Sequence, residues 1–202
     1  QVDMVIEASG KFTTHEDAAK HLKGSVKKVL ISAPSTDADI TIVMGVNEEK
    51  YDSDKHHIVS NVSCTTNCTA TVMKVLNDAF GIKRAMMTTV HAATQTQSIL
   101  DGSSKKDPRG GRSVFNNIIP ATTGASRAVE QVLPTLKGKL SALSLRVPVN
   151  DGSIIDLVTE VEKPVTREII NEAFSKAARE HLRGIIVCAD HELVSSDIIG
   201  SS

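Results

Sequence analysis

The segment Ser63-Cys64-Thr65-Thr66-Asn67-Cys68 places a thiol among hydroxyls where an apolar run gives way to a helical pattern. A cysteine at a helix N-terminus faces unpaired backbone N–H groups and the positive end of the helix dipole, and both favour thiolate over thiol. The hydroxyls of Ser63, Thr65 and Thr66, with those amides, also form a pocket for an anion. The pattern points to nucleophilic chemistry at Cys64. Two other readings stay open at this level. One is a small buried cysteine beside helix-capping hydroxyls. The other is a metal ligand, for which Cys64 and Cys68 need a second pair that the segment lacks.

A catalytic thiol needs a histidine distant in sequence and near in space. His15, His21, His56, His57 and His181 sit among charges and His191 in a polar terminal stretch, positions expected to be solvated. His91 instead ends the apolar run Met86-Met87-Thr88-Thr89-Val90 and is followed by small and hydroxyl residues. The helix that begins at Cys64 returns directly to this strand, a connection that can bring both groups to one sheet edge. An imidazole there stabilises a thiolate and serves as acid and base; a satisfied core histidine is the competing reading. Thr122-Thr123-Gly124-Ala125-Ser126 opens another helix and offers hydroxyls and amides to a phosphate, or plain N-capping. Arg146 ends an alternating strand before Pro148, as a solvated charge or as a fork for phosphate oxygens. Thr94, three residues past His91, is placed to join it. Lys27-Lys28, Lys105-Lys106 and Lys137 with Lys139 read as solvated faces.

These residues need elements to hold them. The chain has 202 residues, 40% hydrophobic and 23% charged, an ordinary globular composition. A net charge of -1 disfavours a nucleic-acid binder, and 2% aromatic residues without Trp leave no stacking platforms for bases. No apolar run approaches the roughly 18 residues of a membrane helix. The N-terminus opens inside an apolar strand pattern instead of a signal peptide, and the chain reads as cut at both ends. Three irregularly spaced cysteines fit a reducing, cytosolic setting. Apolar strands at 2–8, 28–33, 40–46 and 57–62 surround a helix that starts from a capping box at Thr13-Thr14-His15-Glu16 and stops at Gly24. They predict the end of a doubly wound parallel sheet with helices on both faces. Beyond a boundary at 63/64, the pattern predicts a helix over 64–80 stopped by Gly81, and a strand over 84–92. A long Gly- and Ser-rich stretch over 94–118 then has the character of a functional or interface loop. A helix over 125–136, strands over 141–147 and 154–162, a helix over 166–182 and a short strand over 185–188 complete an α+β arrangement with a mixed or antiparallel sheet.

Several stretches, in order and at matching spacing, closely resemble the phosphorylating glyceraldehyde-3-phosphate dehydrogenase family. They are Val59-Ser60-Asn61-Val62-Ser63-Cys64-Thr65-Thr66-Asn67-Cys68, Met86-Met87-Thr88-Thr89-Val90-His91, Asn117-Ile118-Ile119-Pro120-Ala121-Thr122-Thr123-Gly124-Ala125, Lys137-Gly138-Lys139-Leu140 and Arg146-Val147-Pro148. The resemblance spans essentially the whole chain. It implies that residues 1–63 end an NAD-binding domain and that 64–202 form a C-terminally incomplete catalytic domain. It implies Cys64 as the nucleophile toward an aldehyde, His91 as its base, hydride transfer to NAD or NADP, and a thioester attacked by inorganic phosphate. Thr94 and Arg146 match the site for the substrate phosphate, and Ser63, Thr65, Thr123 and Gly124 the site for inorganic phosphate. Ser9, Gly10 and Ser32 match positions lining the cofactor cleft, and 94–118 the segment packed between subunits of a cytoplasmic homotetramer. The family's Gly-rich phosphate fingerprint and its nicotinamide-orienting C-terminal asparagine do not occur in this sequence. Val149-Asn150-Asp151-Gly152-Ser153 departs from the commoner Thr-Pro-Asn-Val-Ser, which bears on contacts near Arg146. The alternatives are erythrose-4-phosphate dehydrogenase, which shares the Cys–His pair, a non-catalytic fragment of the same fold, and a cysteine hydrolase, for which no residue orienting His91 is identified.

Overall fold

Short apolar runs separated by polar turns build the first sheet. In the computed structural model, which describes residues 1–104 and 107–201, four parallel strands lie in the order β1 (Met4–Glu7), β2 (Lys28–Ile31), β4 (Ile58–Ser60) and β3 (Ile40–Thr41). The crossover from β1 to β2 carries α1 (His15–Ala19), whose Ala18 packs on Val29, Ile31 and Ile58. Its N-cap is Thr14, one residue later than expected. The Thr14 hydroxyl accepts from the Asp17 amide at 3.2 Å and donates to the Asp17 carboxylate at 3.0 Å. The helix stops at Ala19, and turns carry the chain on to Gly24, where φ is +60°.

Two further expectations for this part change. The strand foreseen over 40–46 keeps only Ile40–Thr41, because Asn47 pulls the chain into a turn. Its Oδ1 accepts from Val43 N and its Nδ2 donates to Thr41 O, both at 2.9 Å. Gly45 in that turn has φ +79°, and a Cβ there would come within 2.4 Å of the Leu182 side chain. Nor do helices cover both faces of the sheet. Among the described residues α1 covers one face, while Met4 and Met44 are exposed around an open groove on the other, which Leu30, Ile42 and Val59 also line.

The second sheet is mixed, in the order β6 (Ile119–Ala121), β7 (Leu140–Arg146), β5 (Ile82–His91) and β8 (Ser153–Val161). β5 runs parallel to β7 and antiparallel to β8, and β6 is antiparallel to β7. The consecutive strands β7 and β8 are therefore not neighbours, and residues 147–152 cross the end of β5 to join them. One face packs under α2 (Cys64–Phe80), α3 (Ala125–Val132) and α4 (Arg167–Arg179), with Met73, Phe80, Met87, Val129 and Leu136 in the core. Each such side chain, fully withdrawn from water, contributes about 1.5–3 kcal/mol before entropy is counted. The other face leaves Met86, Leu143, Ile154 and Val158 exposed. Val43, Val46 and Val62 join this core from the first part of the chain.

α2 has the extent expected for it. α3 does not: it ends at Val132, since Pro134 supplies no N–H to continue the ladder, and a 3₁₀ turn over Pro134–Leu136 follows. The strand foreseen over 185–188 is a pair of turns, the amides of Ile185 and Ile186 both donating to Leu182 O. The 94–118 loop holds a bridge between Ser98 and Ser113 and a 3₁₀ turn over Val114–Asn116. The lysines taken for solvated are partly structural: Lys28 Nζ donates to His56 O at 2.7 Å and Lys139 Nζ to Ile82 O at 2.6 Å. Lys105-Lys106 lies outside the described residues.

Candidate active site

The chain leaves β4 through a tight turn that aims Cys64. Val62 adopts φ +54°, a left-handed conformation costly for a β-branched residue, and is held there by its surroundings. The Asn67 side-chain amide donates to Asn61 O and to Ser63 O, each at 2.9 Å, so the first turn of α2 is tied back to the turn before it. Ser63 is the N-cap; its hydroxyl accepts from Thr66 N at 3.1 Å and pairs with the Thr66 hydroxyl at 2.8 Å. Cys64 is thus the first residue of the helix, exposed, beside amides that have no intrahelical partner.

His91 reaches the same point from the second sheet. Its Nε2 lies 3.3 Å from Cys64 Sγ. The sheet register sets Arg146 of β7 directly beside it and Ser153 of β8 on the other side. His91 Nδ1 lies 2.9 Å from Ala92 O and 2.6 Å from Arg146 Nη1, which also donates to Ala92 O at 3.2 Å. Each neutral tautomer therefore finds a partner at Nδ1. With the proton on Nδ1 it donates to Ala92 O and leaves a lone pair facing the sulfur. With the proton on Nε2, Arg146 donates to Nδ1 instead. The ring can take or return a proton at Nε2 without losing its seat.

Two neighbours of the pair are partly withdrawn from water. Burial lowers the proton affinity of the Arg146 guanidinium, and the charge of Cys64 opposes that shift; its Nε is buried without a partner among the described residues. Desolvation pushes the Cys68 thiol above its usual range, with the neighbouring Cys64 adding to the effect. A recess of about 180 Å³ beside Cys64 is lined by Thr65, Cys68, Thr89, Ser153 and Ile155.

Not every residue named from the sequence converges here. Thr94 sits in the exposed turn beyond His91, its hydroxyl engaged with Thr96 and Gln97 at 3.0 and 3.1 Å. Thr123 accepts from Ala125 N at 3.2 Å and Gly124 is the N-cap of α3. Thr123 lines a recess with Asp107, Arg109 and Thr122 that shares no lining residue with the one beside Cys64. Ser9, Gly10 and Ser32 follow the carboxyl ends of the paired strands β1 and β2, and β4, beside β2, feeds Cys64 from the same edge. That edge is where open parallel sheets place a nucleotide. Gly10 is exposed with φ +71° and open space where a Cβ would stand, so the turn presents backbone outward, which fits a dinucleotide lying across it. Ser9 is held from beneath: Glu7, 6% exposed, accepts from its amide at 2.7 Å and from its hydroxyl, and meets His21 Nε2 at 2.8 Å. The Ser9 contacts first, then His21, hold the Glu7 carboxyl below its usual range. His21, expected to be solvated, is thus a partner of a buried carboxylate; likewise His15 pairs with Asp39 at 3.1 Å and His56 Nδ1 accepts from Asp52 N at 2.9 Å.

Asn67, Thr89 and Ser153 were not singled out by the sequence reading. Asn67 one turn into α2 was the visible signal for the first. The places of Thr89 and Ser153 depend on strand register, which the sequence does not display.

Among known proteins, a model described as the glyceraldehyde 3-phosphate dehydrogenase C-terminal domain matches residues 63–202. The chain is 55% identical over 199 residues to glyceraldehyde-3-phosphate dehydrogenase 2 of Streptomyces avermitilis, covering 98% of this chain and 59% of that protein. It is 54% identical over 201 residues to glyceraldehyde-3-phosphate dehydrogenase of Geobacillus stearothermophilus, covering 100% and 60%. It is 53% identical over 197 residues to the cytosolic enzyme of Chlamydomonas reinhardtii, covering 98% and 58%. The chain thus spans about three-fifths of the length of the relatives it matches. A domain match over the whole second part, joined to identities above one half across nearly every residue, places this chain in the glyceraldehyde-3-phosphate dehydrogenase family.

Proposed function

We propose that this chain belongs to an NAD-dependent enzyme that oxidises glyceraldehyde 3-phosphate and phosphorylates the product to 1,3-bisphosphoglycerate. Residues 1–63 close the cofactor domain and 64–202 form most of the catalytic domain. The observation that carries the proposal is the 3.3 Å approach of His91 Nε2 to Cys64 Sγ at the start of α2. The sulfur attacks the aldehyde carbon, and His91 relays the proton that the new oxygen requires, giving a thiohemiacetal. NAD, when bound, supplies the acceptor for the hydride that leaves that carbon. The hydroxyl proton passes to His91 as the hydride leaves, and the resulting thioester on Cys64 is cleaved by inorganic phosphate, which takes the acyl group and frees the sulfur.

Arg146 offers a buried, unpartnered Nε beside His91, the donor that a phosphorylated substrate satisfies; Thr94 closes on the same phosphate from the following turn. Ser63, Thr65, Thr123 and Gly124 receive inorganic phosphate; Ser63 and Thr65 flank Cys64 at the start of α2, which supports their part of that assignment. Ser9, Gly10 and Ser32 face the cofactor along the carboxyl edge of the first sheet. The exposed apolar face of the second sheet and the exposed Ile99, Leu100 and Phe115 of the long loop support assembly into a homotetramer. No helix among the described residues is long and apolar enough to cross a membrane. The cytosolic name of the Chlamydomonas relative supports a cytoplasmic location.

The test is absorbance of reduced cofactor with the full-length protein, glyceraldehyde 3-phosphate and phosphate. The wild type produces it, and Cys64→Ser loses turnover by a factor on the order of 10⁵ because a hydroxyl is a far weaker nucleophile at neutral pH. Wild-type protein that leaves the absorbance flat removes the proposal.

A further inference from the structure

The chain contains two Asp–Gly peptide bonds, Asp101–Gly102 and Asp151–Gly152, and both aspartates are exposed. Glycine leaves the amide nitrogen of such a bond unscreened by any side chain. That nitrogen can attack the aspartyl Cγ: a C–N bond forms, the carboxyl hydroxyl leaves as water, and a five-membered succinimide closes. Water then opens the ring at either carbonyl. One opening restores aspartate; the other routes the backbone through the side chain as isoaspartate, with no net change in mass. The reaction needs a carboxyl free to swing onto the nitrogen, an amide free of other duties, and a carboxyl that protonates, since an ionised carboxylate is a poor electrophile.

The two bonds differ in how the carboxyl and the amide are held. Asp101 Oδ1 accepts from Ser113 N at 2.8 Å and from Arg112 Nε at 3.2 Å, and the Gly102 amide donates to Gly111 O at 2.8 Å. Ser113 first, then Arg112, hold the Asp101 carboxyl below its usual range, so it stays ionised. Asp151 has no such tether among the described residues. Its one hydrogen bond among these residues is the 2.7 Å contact in which Oδ1 accepts from the Gly152 amide itself, so both groups are adjacent and neither is committed to another residue. Gly152 has φ +84° in the irregular connection that crosses the end of β5.

We infer that Asp151–Gly152 is a site of spontaneous isoaspartate formation and that Asp101–Gly102 is protected from it. The site adjoins the reaction centre. Gly152 O accepts from Ala92 N at 3.2 Å, and Ser153 pairs with His91. An isoaspartyl residue lengthens the backbone by one methylene and displaces both contacts.

The experiment is incubation of the full-length protein at neutral pH and body temperature for several weeks. Peptide mapping then separates equal-mass isomers, and an isoaspartyl methyltransferase labels them. The Asp151 peptide gains its isomer at about ten times the rate of the Asp101 peptide or faster, a barrier difference of about 1.4 kcal/mol. Asp151→Glu abolishes the signal at that position, since a six-membered ring must then close. Arg112→Ala raises the rate at Asp101 and leaves Asp151 unchanged. Equal rates at the two bonds, a faster rate at Asp101, or an Asp151 peptide that never becomes a methyl acceptor overturns the inference.

Discussion

The two sheets meet at Cys64 and differ in how they are held. The first is all parallel, and among the described residues its core joins Ala18 of a five-residue helix to Val29, Ile31 and Ile58 of the strands. The second is mixed, and its larger core of seventeen buried apolar residues among those described is drawn from the strands, from α2, from α3 and the turn after it, and from Val43, Val46 and Val62. The first contributes the edge from which Ser9, Gly10, Ser32 and the Cys64 turn project. The second contributes His91 and Arg146 from adjacent strands whose register is fixed over seven paired residues. His91 and Arg146 come from the deeply packed sheet, and Cys64 from the first residue of a helix packed on that sheet, because close packing fixes side-chain positions.

That contrast can be broken at three places. The largest effect is expected at the junction itself. His91→Asn removes the proton carrier while leaving the strand paired, and kcat in the full-length protein falls about 10²–10⁴-fold. Alkylation of Cys64 by iodoacetamide, followed against pH, must change with it; an identical alkylation profile in the variant shows that His91 does not act on the sulfur. Next comes the packing. Leu136→Ala in the second core costs about 4 kcal/mol, while Ile31→Ala in the small cluster falls near the lower end of the usual range, about 2 kcal/mol. Both side chains are fully buried, so equal urea-midpoint shifts at equal slope would show one shared core, bridged by Val43, Val46 and Val62.

The smallest effect concerns Glu7. Its carboxyl titrates below its ordinary range in the folded chain because Ser9 and then His21 stabilise the ionised form. The folded state therefore binds its proton less readily than the unfolded state. The resulting stabilisation is present at neutral pH and is lost as pH falls through the carboxylate range. Glu7→Gln flattens that part of the stability curve without altering its alkaline side. A urea-midpoint profile with the same acid slope in both proteins would mean that Glu7 does not hold the Ser9 turn in solution.

Local features of the fold were readable from residue type. Ser63 before Cys64, and Gly81 after Phe80, bound α2 through capping chemistry that needs no distant partner. The alternation in β8 likewise announces one half-buried and one open face. Errors arose where a local signal met a competing local bond or a distant one. Asn47 curtailed β3 through two side-chain hydrogen bonds, Pro134 cut α3, and the apolar 185–188 run became turns around the Leu182 carbonyl. The motif alone marked Cys64 and His91, but nothing along the chain states that β5 separates β7 from β8.

What the amino-acid order determined by itself is the chemistry on offer: a thiol at a helix start, an imidazole at a strand end, an arginine before a proline. Capping and side-chain periodicity act over a few residues, so they are written locally. Only the tertiary structure decided which of these groups meet. The parallel pairing of β5 with β7 seats Arg146 beside His91, and the turn at Val62 turns Cys64 toward both. Strand order and register are set by the burial of whole faces, a property of the assembled sheet that no single segment carries.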